Sequence, residues 1–225
     1  ELYLFVYDLE GLSLAHGSTI SRIGKNFYTE LDKYGTPVIR LLIELAKAGG
    51  GFFSYYWPDP NTKNVNIKTS YIAPVDKHNI AIGAGVYKAI NVPQAQISIK
   101  LEEVKALIRN GVDYFEKHGA LAAYKEFSNP KGDFRRGNMY MFAYNYKGTL
   151  LASGYSPKDV GENFYETRDE FGSPFVQLFI QIAKDGGGSV SYYCPEPSSG
   201  KTKLKVSYIM PLGKDTLIGS GFYGD

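Results

Sequence analysis

The segment Gly51-Phe52-Phe53-Ser54-Tyr55-Tyr56-Trp57-Pro58 decides the fold, because it returns 137 residues later as Gly188-Ser189-Val190-Ser191-Tyr192-Tyr193-Cys194-Pro195. Around it, residues 2–75 align with residues 139–212 without a gap, and 31 of the 74 positions are identical. Self-similarity at a fixed offset is the signature of an internal repeat. The chain is therefore a tandem duplication, whose first copy runs from residue 2 to residue 87.

Each copy has the pattern of a small mixed α and β unit. Aromatic, β-rich stretches at residues 2–9 and 139–146 are followed by a glycine turn and a second short strand, which predicts a hairpin. A Gly-Thr-Pro or Gly-Ser-Pro then opens a helix that ends at a triple glycine, since proline suits a first helical turn and glycine suits a cap. Three more strands complete the unit. We therefore predict the α+β class, with an antiparallel sheet of about five strands and one helix in each copy.

The two copies are joined by a segment with helical periodicity. Apolar residues recur every three or four positions, which predicts one continuous helix over Val92–Lys117. Gly119 interrupts the pattern, and a short helix follows at residues 120–127. No equivalent segment precedes the first copy, so we expect its leading helix to lie before residue 1 of a longer protein. The predicted domains are residues 1–91, a connector at 92–138, and residues 139–225.

Composition excludes several classes of function. Twenty-five basic against 23 acidic residues give a net charge of +2, which does not favour nucleic-acid binding. No stretch is apolar enough for a membrane span, and the single cysteine, Cys194, excludes an internal disulfide. No histidines have metal-ligand spacing, and no nucleophile or phosphate-loop motif occurs, so we expect no metal, no cofactor and no catalytic activity. Gly219-Ser220-Gly221-Phe222-Tyr223-Gly224 fits a dinucleotide fingerprint by letter but has no helix after it.

An ordered set of motifs appears in both copies. In the first copy the set is Phe5-Val6-Tyr7-Asp8-Leu9-Glu10-Gly11, Gly24-Lys25-Asn26, Asp32-x-x-Gly35-x-Pro37, Gly51-x-x-x-Tyr55-Tyr56-Trp57-Pro58, Lys68-x-Ser70-Tyr71-Ile72 and Ile82-Gly83-x-Gly85-x-Tyr87. This set resembles the extracellular Cache domains of bacterial chemoreceptors and sensor kinases, specifically the single-Cache type with a PAS-like fold. The resemblance implies a long helix on one sheet face, and on the other a pocket for a carboxylate or an amino acid.

Candidate ligand-binding residues follow from the chemistry of an anion pocket, which needs a positive charge, hydrogen-bond donors and an apolar wall. Lysine stands inside an apolar strand in both copies, two residues before a serine; the alternative is a charge on a solvated edge. Each Tyr-Tyr pair places one ring on each sheet face, and the alternative is that both rings belong to the core. Arg40 and Trp57 are less certain members, and core packing is an equal alternative for Trp57. The predicted set is Lys68, Tyr56, Tyr71, Trp57 and Arg40 in the first copy, and Lys205, Tyr193 and Tyr208 in the second.

Two qualifications concern this set. Lys68 and Tyr71 differ by three positions, so a regular strand would point them to opposite faces, and only Lys68 would then be kept. The second copy has Ser153, Gln177 and Cys194 where the first has His16, Arg40 and Trp57, so we expect the first copy to bind an anion more tightly.

The leading functional hypothesis is an extracytoplasmic sensor region that binds a small carboxylate or amino acid and signals to a membrane-bound effector. It would be the periplasmic or extracellular part of a bacterial inner-membrane protein, attached through segments outside this chain and possibly a homodimer. The alternatives are a free periplasmic or secreted binding protein and a protein-interaction module that uses aromatic sheet faces.

Overall fold

The computed structural model describes residues 2–32, 34–75, 78–88 and 94–224. The chain divides into two compact units, one formed by Glu1–Asn91 with Phe171–Ser173, the other by Val92–Glu170 with Pro174–Asp225. The predicted boundary at residues 91 and 92 lies outside the described residues, and the three-part division of the chain stays a prediction.

The first unit is an antiparallel sheet with one helix. Its elements are β1 (Tyr3–Asp8), β2 (Ser13–His16), a 3-10 turn (Ile20–Arg22), α1 (Val38–Lys47), β3 (Gly51–Pro58), β4 (Val65–Val75) and β5 (Ile80–Lys88). The strands lie in the order β2-β1-β5-β4-β3. The β3–β4 and β4–β5 pairs keep one register along their whole length. In β3, this register fixes which side chains share a face with Lys68.

The second unit repeats this plan and adds the connecting helix. Its elements are α2 (Gln94–Phe127), β6 (Arg135–Arg136), β7 (Met139–Asn145), β8 (Leu150–Ser153), a 3-10 turn (Pro157–Asp159), α3 (Phe175–Lys184), β9 (Gly188–Pro195), β10 (Thr202–Leu212) and β11 (Thr216–Tyr223). The strands lie in the order β9-β10-β11-β7-β6, and β8 pairs with β7. The predicted α+β class with antiparallel sheets is confirmed.

The connecting helix has the interruption that the sequence predicts. Gly119 has φ 78° and ψ 167°, which is not helical, so α2 consists of a long helix and a short one. The predicted start at Val92 lies outside the described residues, and the helix as described begins at Gln94. Among the described residues, no helix combines the length and apolar character that crossing a bilayer requires.

The triple glycines end the helices by a Schellman motif. After α1, the Gly49 N–H donates to the Ala46 carbonyl, and the Gly50 N–H donates to the Leu45 carbonyl at 2.9 Å. Gly49 and Gly50 have φ of 99° and 93°, values that a side chain rarely allows. The equivalent Gly187 N–H reaches the Ile182 carbonyl after α3. In both units the chain thereby leaves the helix, reverses direction and enters the strand that carries the Tyr-Tyr pair, β3 or β9.

In the second unit the two helices cover opposite faces of the sheet. Phe179 of α3 packs on the rings of Phe142 and Tyr192, with centroid distances of 5.4 and 4.9 Å. On the other face, Lys105 of α2 lies over the ring of Tyr208. The face under α3 is therefore the one that carries Tyr192 and, beside it in β10, Lys205.

Candidate functional site

A fully buried lysine stands at the centre of the second unit. Lys205 is 0% exposed and pairs with Tyr192 of β9 and Tyr223 of β11. Its ammonium nitrogen lies 3.6 Å from the ring centroid of Tyr140 and 5.3 Å from that of Phe142. Within the described part of the chain, this nitrogen has no hydrogen-bond partner. Lys205 is thus a buried cation surrounded by aromatic rings.

The first unit places Lys68 in the same surroundings. Lys68 is 1% exposed, and its ammonium nitrogen lies 3.8 Å from the ring centroid of Tyr3 and 4.8 Å from that of Phe5. Neither Lys68 nor Lys205 belongs to an ion pair among the described residues. The alternative of a solvated edge charge does not hold, because both side chains are enclosed.

Burial changes the proton affinity of both lysines. It lowers the pKa of Lys205 from 10.5 to about 8, and that of Lys68 to about 7. Aromatic faces attract an ammonium group but do not replace a counter-ion. A carboxylate brought next to Lys205 would supply the missing charge and raise its pKa again. The arrangement is therefore complementary to a small anion.

A cavity of the second unit lies between α3 and the sheet, and Lys205 itself is not part of its wall. Its volume is about 210 Å³, and its wall includes the rings of Tyr140 and Phe142 on which the Lys205 nitrogen rests. The wall is mostly aromatic, with a few polar groups. Its other members are Tyr144, Leu150, Ser153, Tyr155, Ser156, Asp159, Phe164, Thr167, Phe175, Phe179, Tyr192, Cys194 and Pro195.

One end of this cavity carries a cluster of tyrosine hydroxyls. The hydroxyls of Tyr140 and Tyr223 are 3.3 Å apart, and the Tyr223 hydroxyl donates to the carbonyl of Pro195 at 2.8 Å. Cys194 Sγ lies 3.3 Å from the same hydroxyl. Burial raises the pKa of Tyr140 and of Tyr223, so both stay protonated. Because the single proton of the Tyr223 hydroxyl is given to Pro195, the Tyr140 hydroxyl, which belongs to the cavity wall, is the donor that this cluster adds to the charge of Lys205.

A short polar edge lies in the loop after β8. The Ser153 hydroxyl accepts the backbone N–H of Ser156 at 2.9 Å, and the Ser156 hydroxyl donates to Asp159. Tyr155 stacks on Tyr140 with a centroid distance of 5.5 Å. The cavity thus combines an aromatic interior with polar groups at its edge, as small-molecule sites do.

In the first unit the equivalent space is filled by larger side chains. Trp57 replaces Cys194 and packs edge-on against Tyr55 at 5.6 Å, and His16 replaces Ser153. The void that remains next to Lys68 is about 10 Å³, room for one water at most. Burial, with Arg22 and Lys68 nearby, lowers the pKa of His16 to about 4, so His16 is neutral near pH 7.

The first unit has a wider cleft at the end of β3 instead. It measures about 430 Å³ and includes Tyr56 and Trp57 in its wall. Its charged members are Arg22, Glu30, Asp32, Asp59 and Lys63. Arg22 and Glu30 form an ion pair at 2.7 Å. This cleft is chemically unlike the cavity of the second unit.

The register corrects part of the predicted site. Lys68 pairs with Tyr55, and Lys205 pairs with Tyr192, so Tyr56 and Tyr193 point to the opposite sheet face. The prediction that placed the second tyrosine of each pair beside the lysine is wrong in its geometry. The reason is a register that the sequence does not specify: the lysine lies opposite the first tyrosine of the pair.

Tyr71 and Tyr208 also lie away from the lysines. β4 has no bulge, so Tyr71 faces opposite to Lys68, is 46% exposed and contacts Phe52. Tyr208 faces α2. Both residues are therefore excluded from a site that contains the lysines.

The other two predicted residues have different positions. Trp57 lies on the lysine face and contributes to the wall of both spaces in the first unit. Arg40 lies half-buried on α1 and belongs to neither wall. The binding roles of these residues stay predictions.

Sequence reasoning missed the aromatic residues that surround the lysines. Tyr3, Phe5, Tyr140, Phe142 and Tyr223 come from the first and last strands of each copy, far from the lysine in sequence. The alternation of aromatic residues in the first strand signals one aromatic face, and the Gly-x-Gly of the last strand signals a close approach. A Cβ on Gly219 would lie 2.4 Å from the Phe142 ring, which shows that the glycine makes room for it.

No group of three or more histidine, cysteine, aspartate or glutamate residues that would hold a metal ion occurs in the portions that the structure describes.

The sequence of this chain is similar to a known family model and to two characterised proteins. A family model described as "Cache domain", of the type dCache_2, matches residues 1–225. The sensor histidine kinase MctS of Rhizobium johnstonii is 40% identical over 85 residues, which are 38% of this chain and 18% of that protein. The methyl-accepting chemotaxis protein CtpM of Pseudomonas aeruginosa is 34% identical over 83 residues, 36% of this chain and 15% of that protein. The matched part of this chain thus spans less than a fifth of either relative.

A solved structure agrees at the level of the fold. A methyl-accepting chemotaxis protein from Vibrio parahaemolyticus superposes with a TM-score of 0.51 and 24% identity, covering 58% of this chain and 92% of that one. These similarities define the class of protein: the chain is a Cache sensor domain, of the kind found in chemoreceptors and sensor kinases. The chain belongs to the Cache domain family, in its two-module dCache_2 form.

Proposed function

We propose that this chain is the ligand-sensing region of a membrane-bound receptor and that its second unit binds a small carboxylate or amino acid through Lys205. The observation that carries the proposal is the Lys205 ammonium, 0% exposed and without a hydrogen-bond partner among the described residues. The rings of Tyr140 and Phe142 that surround it also form part of the wall of an aromatic cavity of about 210 Å³. Keeping a cation buried without a counter-ion is costly, and a bound carboxylate offsets that cost.

The second unit is favoured over the first, which reverses the expectation from composition. The added aromatic and cationic groups of the first copy do not enlarge its lysine pocket but fill it: Trp57 and His16 leave about 10 Å³ beside Lys68. A molecule the size of acetate does not fit such a void. Cys194 and Ser153 leave the corresponding space open.

Signalling would use the two faces of one sheet. The cavity lies under α3, and α2 packs on the reverse face, so a change in the packing of β10 and β11 reaches α2 directly. We propose that ligand occupancy shifts the balance between two packings of these strands on α2. The effector, the membrane attachment, a homodimer and the periplasmic location belong to the same proposal. The signalling effector is supported by two relatives, which are a sensor histidine kinase and a methyl-accepting chemotaxis protein.

The test compares matched lysine variants. Isothermal titration with sodium acetate, propionate, pyruvate and succinate, and with glycine and serine, identifies the tightest ligand of the wild-type chain. Lys205→Met should weaken that binding by about tenfold to a hundredfold, because a charged hydrogen bond contributes roughly 1.5–3 kcal/mol. Lys68→Met is the control and should leave the affinity unchanged. Equal affinities of the wild type and Lys205→Met, or loss of binding in Lys68→Met alone, would contradict the proposal.

A further inference from the structure

We infer that the first unit carries a second, chemically opposite ligand site, in which Asp32 binds the primary ammonium group of a small organic amine in the cleft at the end of β3. The inference does not depend on anion binding by the second unit. It rests on an unpaired carboxylate oxygen, on the contrast with the equivalent aspartate of the second unit, and on the wall of the cleft.

One carboxylate oxygen of Asp32 accepts two hydrogen bonds from the backbone. Its Oδ1 accepts the backbone N–H groups of Tyr34 and Thr36, both at 2.8 Å, and so fixes the loop that leads into α1. The other oxygen, Oδ2, is buried and has no hydrogen-bond donor among the described residues. Burial raises the pKa of this carboxyl, and the hydrogen bonds from the backbone of residues 34–36 and from the Thr36 side chain only partly offset the effect. An ammonium group on Oδ2 would restore the hydrogen bond and the counter-charge.

In the second unit, the equivalent carboxylate oxygen has a hydrogen-bond donor from the protein itself. Asp169 is the equivalent of Asp32, and its Oδ2 accepts the backbone N–H of Tyr193 at 3.0 Å. In the first unit no described donor takes that role, although Tyr56 occupies the position equivalent to Tyr193. The same aspartate is thus structural in one copy and available in the other.

The charged groups of the wall carry a net charge of −1, because Arg22 and Lys63 are outnumbered by Glu30, Asp32 and Asp59. Arg22 is neutralised by Glu30 at 2.7 Å, so it does not repel an ammonium group as a free cation would. Asp59 already accepts the Asn61 backbone N–H and the Asn66 amide. Of the carboxylate oxygens in the described wall of the cleft, Asp32 Oδ2 is the one that is buried without a partner.

The cleft also has the walls and the room that a small amine requires. Its wall includes the aromatic side chains of Tyr3, Tyr56 and Trp57. The Tyr3 ring already carries the Lys68 ammonium and the Trp57 ring lies 5.2 Å from the Arg22 guanidinium, so Tyr56 is the ring that we expect to attract a bound cation. Its volume of about 430 Å³ is within the range of small-ligand sites. In the second unit, Cys194 and Thr167 replace Trp57 and Glu30, so the same amine has no equivalent site there.

The test uses amines as probes. Isothermal titration of the whole chain with the chloride salts of ethylamine, ethanolamine and putrescine should show saturable binding of at least one of them at a single site. Tetramethylammonium, which has the charge but no N–H, should bind at least tenfold more weakly. Asp32→Asn keeps an acceptor for the loop and removes the charge, so it should weaken binding of the primary amine at least tenfold.

Two control variants separate this site from others. Asp169→Asn changes the equivalent residue of the second unit and should leave amine binding intact, as should Lys205→Met, which tests the anion site alone. Circular dichroism melts establish that Asp32→Asn is folded. Absence of saturable binding by all three amines, or equal affinity of the wild type and a folded Asp32→Asn, overturns the inference.

Discussion

At the scale of the residue, the chain places two lysines where proteins seldom place a charge, inside a sheet and against aromatic rings. The low pKa of Lys205 follows from burial, and no described residue forms an ion pair with it. The carboxylate that we propose as ligand would bind the protonated form, so the ligand and the proton would be thermodynamically linked. Titration of Lys205 is then expected to have a direct effect on affinity.

We expect carboxylate affinity to fall as the pH rises above about 8, because free Lys205 loses its proton there and a bound anion raises its pKa. The limiting slope is about tenfold per pH unit. Titrations at pH 7, 8 and 9 measure it, with Cys194→Ser as a control for the neighbouring thiol. A flat profile in the wild type would show that Lys205 does not contact the anion.

At the scale of the element, the first glycine of the Gly-x-Gly in the last strand of each copy leaves room for an aromatic ring, Phe5 over Gly83 and Phe142 over Gly219. A side chain at Gly219 would meet the Phe142 ring at 2.4 Å and Ile209 at 2.7 Å. Gly219→Ala should therefore lower the free energy of unfolding by about 1–3 kcal/mol, as overpacked cores do. Urea denaturation measures the change.

The double variant Gly219→Ala with Phe142→Leu provides the matching test. A smaller side chain at position 142 relieves the clash, so the two substitutions together should cost less than the sum of their separate costs. Strict additivity would mean that ring and glycine do not interact.

The elements themselves could be predicted from the sequence, and their register could not. Proline and triple glycine mark both ends of α1, and Gly119 marks the break in α2. Alternation predicts that Lys68 and Tyr71 lie on opposite faces of a regular strand. Whether Tyr55 or Tyr56 lies beside Lys68 depends on the alignment of β3 with β4, which the connecting turn sets, and the sequence pattern of neither strand specifies it. Our prediction puts Tyr56 beside Lys68, whereas the structure places Tyr55 there.

At the scale of the whole molecule, duplication has produced two units with one backbone plan and different pockets. The size of each lysine pocket is set by few side chains: Trp57 and His16 in the first unit, Cys194 and Ser153 in the second. Composition alone indicated the first copy as the better anion binder, because a count of aromatic and cationic groups does not reveal whether they line a space or fill it.

We expect the double variant His16→Ser with Trp57→Cys to open a second anion site in the first unit. The exchange gives Lys68 the smaller neighbours that Lys205 has, so the stoichiometry of carboxylate binding should rise from one to two per chain. Calorimetric stoichiometry measures this, and thermal melting verifies that the variant is folded. A stoichiometry that stays at one would show that further residues, Arg22 among them, close the pocket.

The gapless alignment of residues 2–75 with 139–212 has an evolutionary consequence. A side chain moved between equivalent positions meets almost the same main chain, so neither copy needs an insertion or deletion to acquire the specificity of the other. Point mutations at a handful of codons are enough to open, close or recharge a pocket. Selection can therefore change the pocket of one unit while the other unit keeps the pocket that it has.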